Sequence, residues 1–236
     1  ILLKDIGRLK EAKFFIFKAI ELDPYKAELH LNLGHIFRNL GMLKQAEKST
    51  RKAISLKPEY AISHSNLGLI LKDLGRFKEA ESSTIRAIGI NYNEADYHYN
   101  LGLILNKRQK FKKAISSLKN AITINPNFAK AYNSIGNIYR KLNQLKEAEL
   151  SIRKAIELQP DYAKAYLNLS NVILENGNLE EAEDYTRKAI QINSNMEEFY
   201  YNLGVILRAL GKFEEAKKVT IKAIKIRPDY PNAIFN

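Results

Sequence analysis

One constraint dominates the reading of this chain: from Ala27 onward the same residue types return every 34 residues. Six full units follow, 27–60, 61–94, 95–128, 129–162, 163–196 and 197–230, between a partial unit at 1–26 and the start of another at 231–236. A small-residue column reads Gly34, Gly68, Gly102, Gly136, Ser170 and Gly204. Two alanine columns are invariant: Ala46, Ala80, Ala114, Ala148, Ala182, Ala216, and Ala53, Ala87, Ala121, Ala155, Ala189, Ala223. Pro58, Tyr92, Pro126, Pro160, Ser194 and Pro228 mark the unit ends. A register held this long means a fold built by repetition.

Within a unit the apolar spacing is helical twice over. In the second, Leu67, Ile70, Leu71 and Leu74 follow the i, i+3, i+4, i+7 rule, and Phe77, Ala80, Thr84, Ala87 and Ile88 do so again. Gly41, Gly75, Gly177 and Gly211 fall between the two segments, where a left-handed residue closes a helix. Gln109 and Asn143 stand there in the middle units, and since glutamine tolerates that conformation less well than asparagine, the third turn is expected to be the irregular one. Each unit is therefore a helical hairpin. Glycine inside a helix costs up to about 1 kcal/mol in propensity, so its recurrence predicts that another backbone comes close. A lone hairpin cannot bury both apolar faces, and stacking into an all-α solenoid with a continuous core solves that problem.

The 34-residue length, the apolar residue before the glycine (Leu33, Leu67, Leu101, Ile135, Leu169, Leu203), the alanine columns and the closing proline together resemble the tetratricopeptide repeat family. The resemblance covers essentially the whole chain and implies a right-handed alpha-alpha superhelix whose first helices line a concave groove. The family's helix-B aromatic is Thr50, Thr84, Leu118, Ile152, Thr186 and Thr220 here, which predicts smaller contacts around that column. The asparagine-bearing pattern is similar to the repeats attached to O-linked N-acetylglucosamine transferase and to many bacterial repeat proteins.

That pattern puts Asn32, Asn66, Asn100, Ser134, Asn168 and Asn202 at the sixth place. An amide carries donors and an acceptor on one short side chain, so a column of them can meet successive backbone groups of an extended peptide, and the resemblance implies this use. The alternative is that the amides bond between neighbouring hairpins and set their angle. Tyr99, Asn133 and Tyr201 at the fifth place, His35, Asn137 and Asn171 at the ninth, Lys130 and Lys164 at the second, and Arg38, Lys72, Arg140 and Arg208 at the twelfth complete the expected groove. They describe an apolar and aromatic patch over the second and third units and a polar stretch after it, suited to a peptide alternating apolar with acidic or polar side chains. No unit has lysine at the fifth place or arginine at the sixth, which argues against a receptor for chaperone C-terminal carboxylates.

The chain carries 38 Lys plus Arg against 26 Asp plus Glu, a formal net charge of +12. That excess makes nucleic acid the rival ligand, with Tyr99 and Tyr201 available to stack on bases. Against it, the basic residues fall largely on second helices and loops and alternate with glutamate, which dilutes a phosphate track. A protein or peptide partner is the expectation. A solenoid whose ends cut through a unit without a polar cap also invites end-to-end self-association. The absence of cysteine removes disulfides and thiol chemistry. It fits the cytoplasm, while a signal preceding residue 1 would leave no trace here. No apolar run approaches the roughly 18 residues of a membrane span. His30, His64 and His98 sit one repeat apart, too far for a common metal, and are read as packing residues. Glu79 with Glu81, and Glu180, Glu181 and Glu183, are read as favouring the positive end of the helix dipole. No enzyme active site and no cofactor are expected.

Overall fold

The computed structural model describes residues 2–228. These residues form thirteen α-helices and no strand. The chain divides into two compact units, Ile1–Asn125 and Pro126–Asn236. The first holds α1 (Leu2–Leu22) and three hairpins: α2 (Ala27–Asn39) with α3 (Leu43–Leu56), α4 (Ala61–Asp73) with α5 (Phe77–Ile90), and α6 (Ala95–Lys107) with α7 (Phe111–Ile124). The second holds α8 (Ala129–Lys141) with α9 (Leu145–Leu158), α10 (Ala163–Glu175) with α11 (Leu179–Ile192), and α12 (Glu197–Ala209) with α13 (Phe213–Ile226). The further repeat expected at 231–236 lies outside the described residues. Helix α1 runs unbroken through Gly7, the place where later repeats turn.

Within each unit the first helix of a hairpin packs on its own second helix, which packs on the first helix of the next: α3 on α4, α5 on α6, α9 on α10, α11 on α12. First helices also touch one another, α2 with α4, α4 with α6, and α8 with α10, so they share one face of each unit. This is the consecutive packing of an all-α solenoid, with both alanine columns at the helix contacts and at most 2 % exposed.

The glycine column is fixed by distance. A Cβ on Gly68 would fall 2.2 Å from Thr84 Oγ1, and one on Gly136 would fall 2.4 Å from Ile152 Cγ1 and 2.9 Å from the Ala148 carbonyl oxygen. The column that lacks the family's aromatic is thus the one lying against the glycine. Ser170 is accommodated because its hydroxyl lies 2.6 Å from Thr186 Oγ1 and donates to the Ala182 carbonyl at 2.7 Å.

The hairpin turns are all alike. Gly75 has φ 77°, and Gln109 and Asn143 reach 58° and 57°. Arg76 N–H bonds to Leu71 O at 2.9 Å and Gly75 N–H to Lys72 O at 3.0 Å, the paired bonds of a Schellman cap. Lys110 N–H to Leu105 O at 2.9 Å and Gln109 N–H to Asn106 O at 3.0 Å repeat them, so the irregular third turn expected from glutamine does not occur. A left-handed non-glycine residue costs about 1–2 kcal/mol, and the two cap bonds together with the helix packing on either side outweigh it.

Gly136→Ala is expected to destabilise the chain by about 1–3 kcal/mol through overpacking, read as a lower urea midpoint. Gly89, on α5 with nothing within 4 Å of its would-be Cβ, is the control. Gly89→Ala is expected to stabilise by up to about 1 kcal/mol.

Candidate functional site

Within each unit the face shared by the first helices carries the asparagines, and the amides divide into two groups. Asn66 is 2 % exposed; its Nδ2 donates to Thr50 Oγ1 at 3.4 Å and its Oδ1 is buried without a partner. Asn100 Nδ2 donates to Ser65 Oγ of the preceding hairpin at 3.2 Å. In the second unit Asn168, 8 % exposed, donates to Asn133 Oδ1 at 2.8 Å, and Asn133 Nδ2 donates to the Tyr162 hydroxyl at 3.3 Å. The rule linking these bonds is that the sixth place of one repeat reaches the fifth place of the repeat before it when that residue offers an acceptor. Ser65 and Asn133 do; Leu31 and Leu167, which precede Asn66 and Asn202, do not. The second group is open. Asn32 is exposed and Asn137, Asn171 and Asn202 are half-buried, and none makes a side-chain hydrogen bond to a described residue.

The basic stripe on this face is largely engaged. Arg38 Nε donates to Asp73 Oδ2 at 2.7 Å, Lys72 Nζ lies 3.5 Å from Asp73 Oδ1, and Arg140 pairs with Glu175 at 3.3 Å. The arginine pairs join the twelfth place of one repeat to the thirteenth of the next. Lys130, Lys164 and Arg208 are exposed, and Tyr99 and Tyr201 are half-buried. His35 is exposed at its edge, yet desolvation by its neighbours and the Arg38 charge hold its pKa below the usual histidine value.

The three histidines read as packing residues do more specific work. Nε2 of His30, His64 and His98 lies 2.8 Å from the carbonyl of Pro24, Pro58 and Tyr92 respectively, tying each first helix to the loop that precedes it. Among the glutamates read as dipole partners, Glu181 in the first turn of α11 meets Arg153 of the preceding hairpin at 3.1 Å, and two more prove to be joints. Glu81 pairs with Arg108 and Lys110 of the next hairpin, and Glu183 with Arg187 and with Lys212 of the next hairpin at 2.7 Å each. Both lie beyond the first helical turn, and a sequence count of helix length would have separated them from Glu79 and Glu180. Burial raises the pKa of Glu183, but the hydrogen bonds from Lys212 and Arg187 outweigh it and the net shift is downward.

Tetratricopeptide repeat models match residues 27–60 and 61–94, 129–162 and 197–230, and 152–184, and a further TPR repeat model matches 102–142. The chain belongs to the tetratricopeptide repeat family. No curated protein sequence matches it. Among solved structures, this tetratricopeptide repeat chain is similar to Pseudomonas aeruginosa pilF (16 % identity, TM-score 0.74, covering 89 % of this chain and 96 % of that one). It is similar to PilW, a type IV pilus biogenesis factor, at 19 % identity, TM-score 0.78, and 89 % and 97 % coverage. YrrB, a TPR protein with an unusual peptide-binding site, matches at 26 % identity, TM-score 0.56, and 76 % and 92 % coverage. No helix among the described residues is long and apolar enough to cross a membrane.

A double-mutant cycle on Asn133→Ala and Asn168→Ala is expected to give a coupling of about 0.5–1.5 kcal/mol, measured by urea unfolding, whereas Asn32→Ala leaves stability within about 0.5 kcal/mol. The Glu183 contribution is present above its unfolded pKa of about 4.5 and is lost as pH falls through the lower folded value. Glu183→Gln is therefore expected to destabilise the chain at pH 7, with the difference from wild type shrinking towards pH 3.

Proposed function

We propose that this chain is a protein-interaction scaffold that holds an extended peptide segment against the face that the first helices share within a unit. The observation that carries this reading is the division of the asparagines. Asn66, Asn100, Asn133 and Asn168 set the joints between hairpins, while the side-chain amides of Asn32, Asn137, Asn171 and Asn202 bond to no described residue. Open amides on a rigid helical scaffold can pair with peptide N–H and C=O groups whatever the peptide's side chains. Asn137 and Asn171 occupy the same place in neighbouring repeats, so they would meet successive stretches of one ligand. Joints held by buried amides preorganise that spacing and lower the cost of binding.

Selectivity in this proposal is apolar before it is electrostatic. Ile62 on α4 and Val205 on α12 are exposed at 42 % and 37 %, and Tyr99 on α6 and Tyr201 on α12 are half-buried. Arg38, Lys72 and Arg140 already answer to Asp73 and Glu175, which weakens any demand for acidic ligands. The same pairing speaks against nucleic acid, whose affinity rests on free cations meeting phosphates. A family relative described as having a peptide-binding site, YrrB, supports the ligand class.

The test is a solution screen against extended peptides, comparing wild type with Asn137→Ala plus Asn171→Ala at two salt concentrations. Expected is a hit that weakens by about tenfold or more, some 1.4 kcal/mol, with slight salt dependence. Binding that ignores the asparagines and falls steeply with salt overturns the peptide reading in favour of nucleic acid.

A further inference from the structure

The joint between two hairpins recurs along the chain, and one copy of it contains a ring that another lacks. In the second unit Tyr185 of α11 lies over Arg153 of α9, with the guanidinium carbon 5.5 Å from the ring centroid and Nη1 donating to the phenol oxygen at 2.7 Å. The Tyr166 ring is 6.4 Å away, and Arg153 is held in place by Glu149 at 2.7 Å and Glu181 at 3.1 Å.

The joint between the hairpins 27–60 and 61–94 repeats the arginine and its two glutamates, with one addition: Arg76, where the other copy has Asn178, also binds Glu47 at 2.8 Å and Glu79 at 2.6 Å. Arg51 stands where Arg153 does, held by Glu47 at 2.9 Å with Glu79 at 4.0 Å. His64 stands for Tyr166, Ile54 for Ile156 and Leu67 for Leu169. The place of Tyr185 is taken by Ser83. Where the ring would lie there is a cavity of about 450 Å³ lined by Arg51, Ile54, His64, Leu67, Ser83 and Arg86, among others. It opens to solvent, since Arg51 and Arg86 are exposed. The joint before it also leaves a cavity, about 330 Å³, but Phe17 occupies the arginine place there and no guanidinium awaits a hydroxyl.

We infer that the cleft between α3 and α5 is a second ligand site, which takes a tyrosine side chain presented by a partner protein. The internal copy supplies the fit: the ring lies on the Arg51 guanidinium, whose positive charge complements the negative face of the aromatic system. The phenol oxygen accepts from Arg51, as Tyr185 accepts from Arg153. At the rim Arg86 is paired, among the described residues, with Glu59, and both are exposed. Such a pair exchanges partners at little cost, so a carboxylate beside the tyrosine would be favoured. The site lies on second helices and is independent of the asparagine face.

The test is a titration of the isotope-labelled chain with N-acetyl-tyrosine amide, followed by backbone amide shifts, with N-acetyl-leucine amide as comparison. Expected are saturable shifts at residues 51–55, 64–67 and 82–86 with the tyrosine derivative and weaker ones with leucine. Ser83→Tyr fills the cleft from within and is expected to weaken binding by about tenfold or more, with a raised melting temperature. Arg51→Met keeps the stem and removes the guanidinium, and is expected to weaken binding without filling the cleft. Equal response to leucine amide, absence of saturable shifts at these residues, or unchanged binding in both variants overturns the inference.

Discussion

The close approach of the two helices in each hairpin is the interaction on which the rest depends. In five of the six hairpins a glycine's backbone hydrogen lets the first helix settle against the second until side chains such as Thr84 or Ile152 fill the place a methyl group would need. That contact fixes the depth of each hairpin, and within each unit the alanine columns, at most 2 % exposed, then let neighbouring hairpins nest. Dense packing of this kind transmits small changes in volume. The positions of the asparagines and of the cross-hairpin ion pairs follow from it.

Much of this was legible in the sequence because it is written in residues whose size alone carries the meaning. The period, the two helices and the short turn need only column counting, and the glycine and alanine columns announce close backbones. What resisted was whatever depends on which columns of two different repeats meet. Asn100 reaches Ser65 and Asn168 reaches Asn133, each 35 residues back, and that offset is apparent only once hairpins are stacked. Glu183 read alone is an acid near a helix start; beside Lys212 it is a joint. Gln109 misled for a different reason. Its intrinsic preference disfavours the left-handed region, but the cap bonds and the packing on both sides leave the turn no other course.

Polar groups in this chain therefore serve two ends. Buried amides and shielded glutamates specify how one hairpin meets the next, a task that apolar contacts perform with less directional precision. The groups left over remain exposed on a scaffold already held in shape. An excess of +12 in formal charge coexists with extensive pairing, so the surface is less uniformly basic than the composition implies.

Within each unit a hairpin makes its contacts with immediate neighbours, and this bears on how such a chain changes over generations. Duplicating or deleting 34 residues between equivalent columns recreates joints of a kind already present, without asking any distant pair to readjust. Length becomes a quantity that inheritance can alter in whole steps. The exchange of one side chain, Ser83 in one copy and Tyr185 in another, shows the complementary freedom: copies alike in frame can diverge in what they hold.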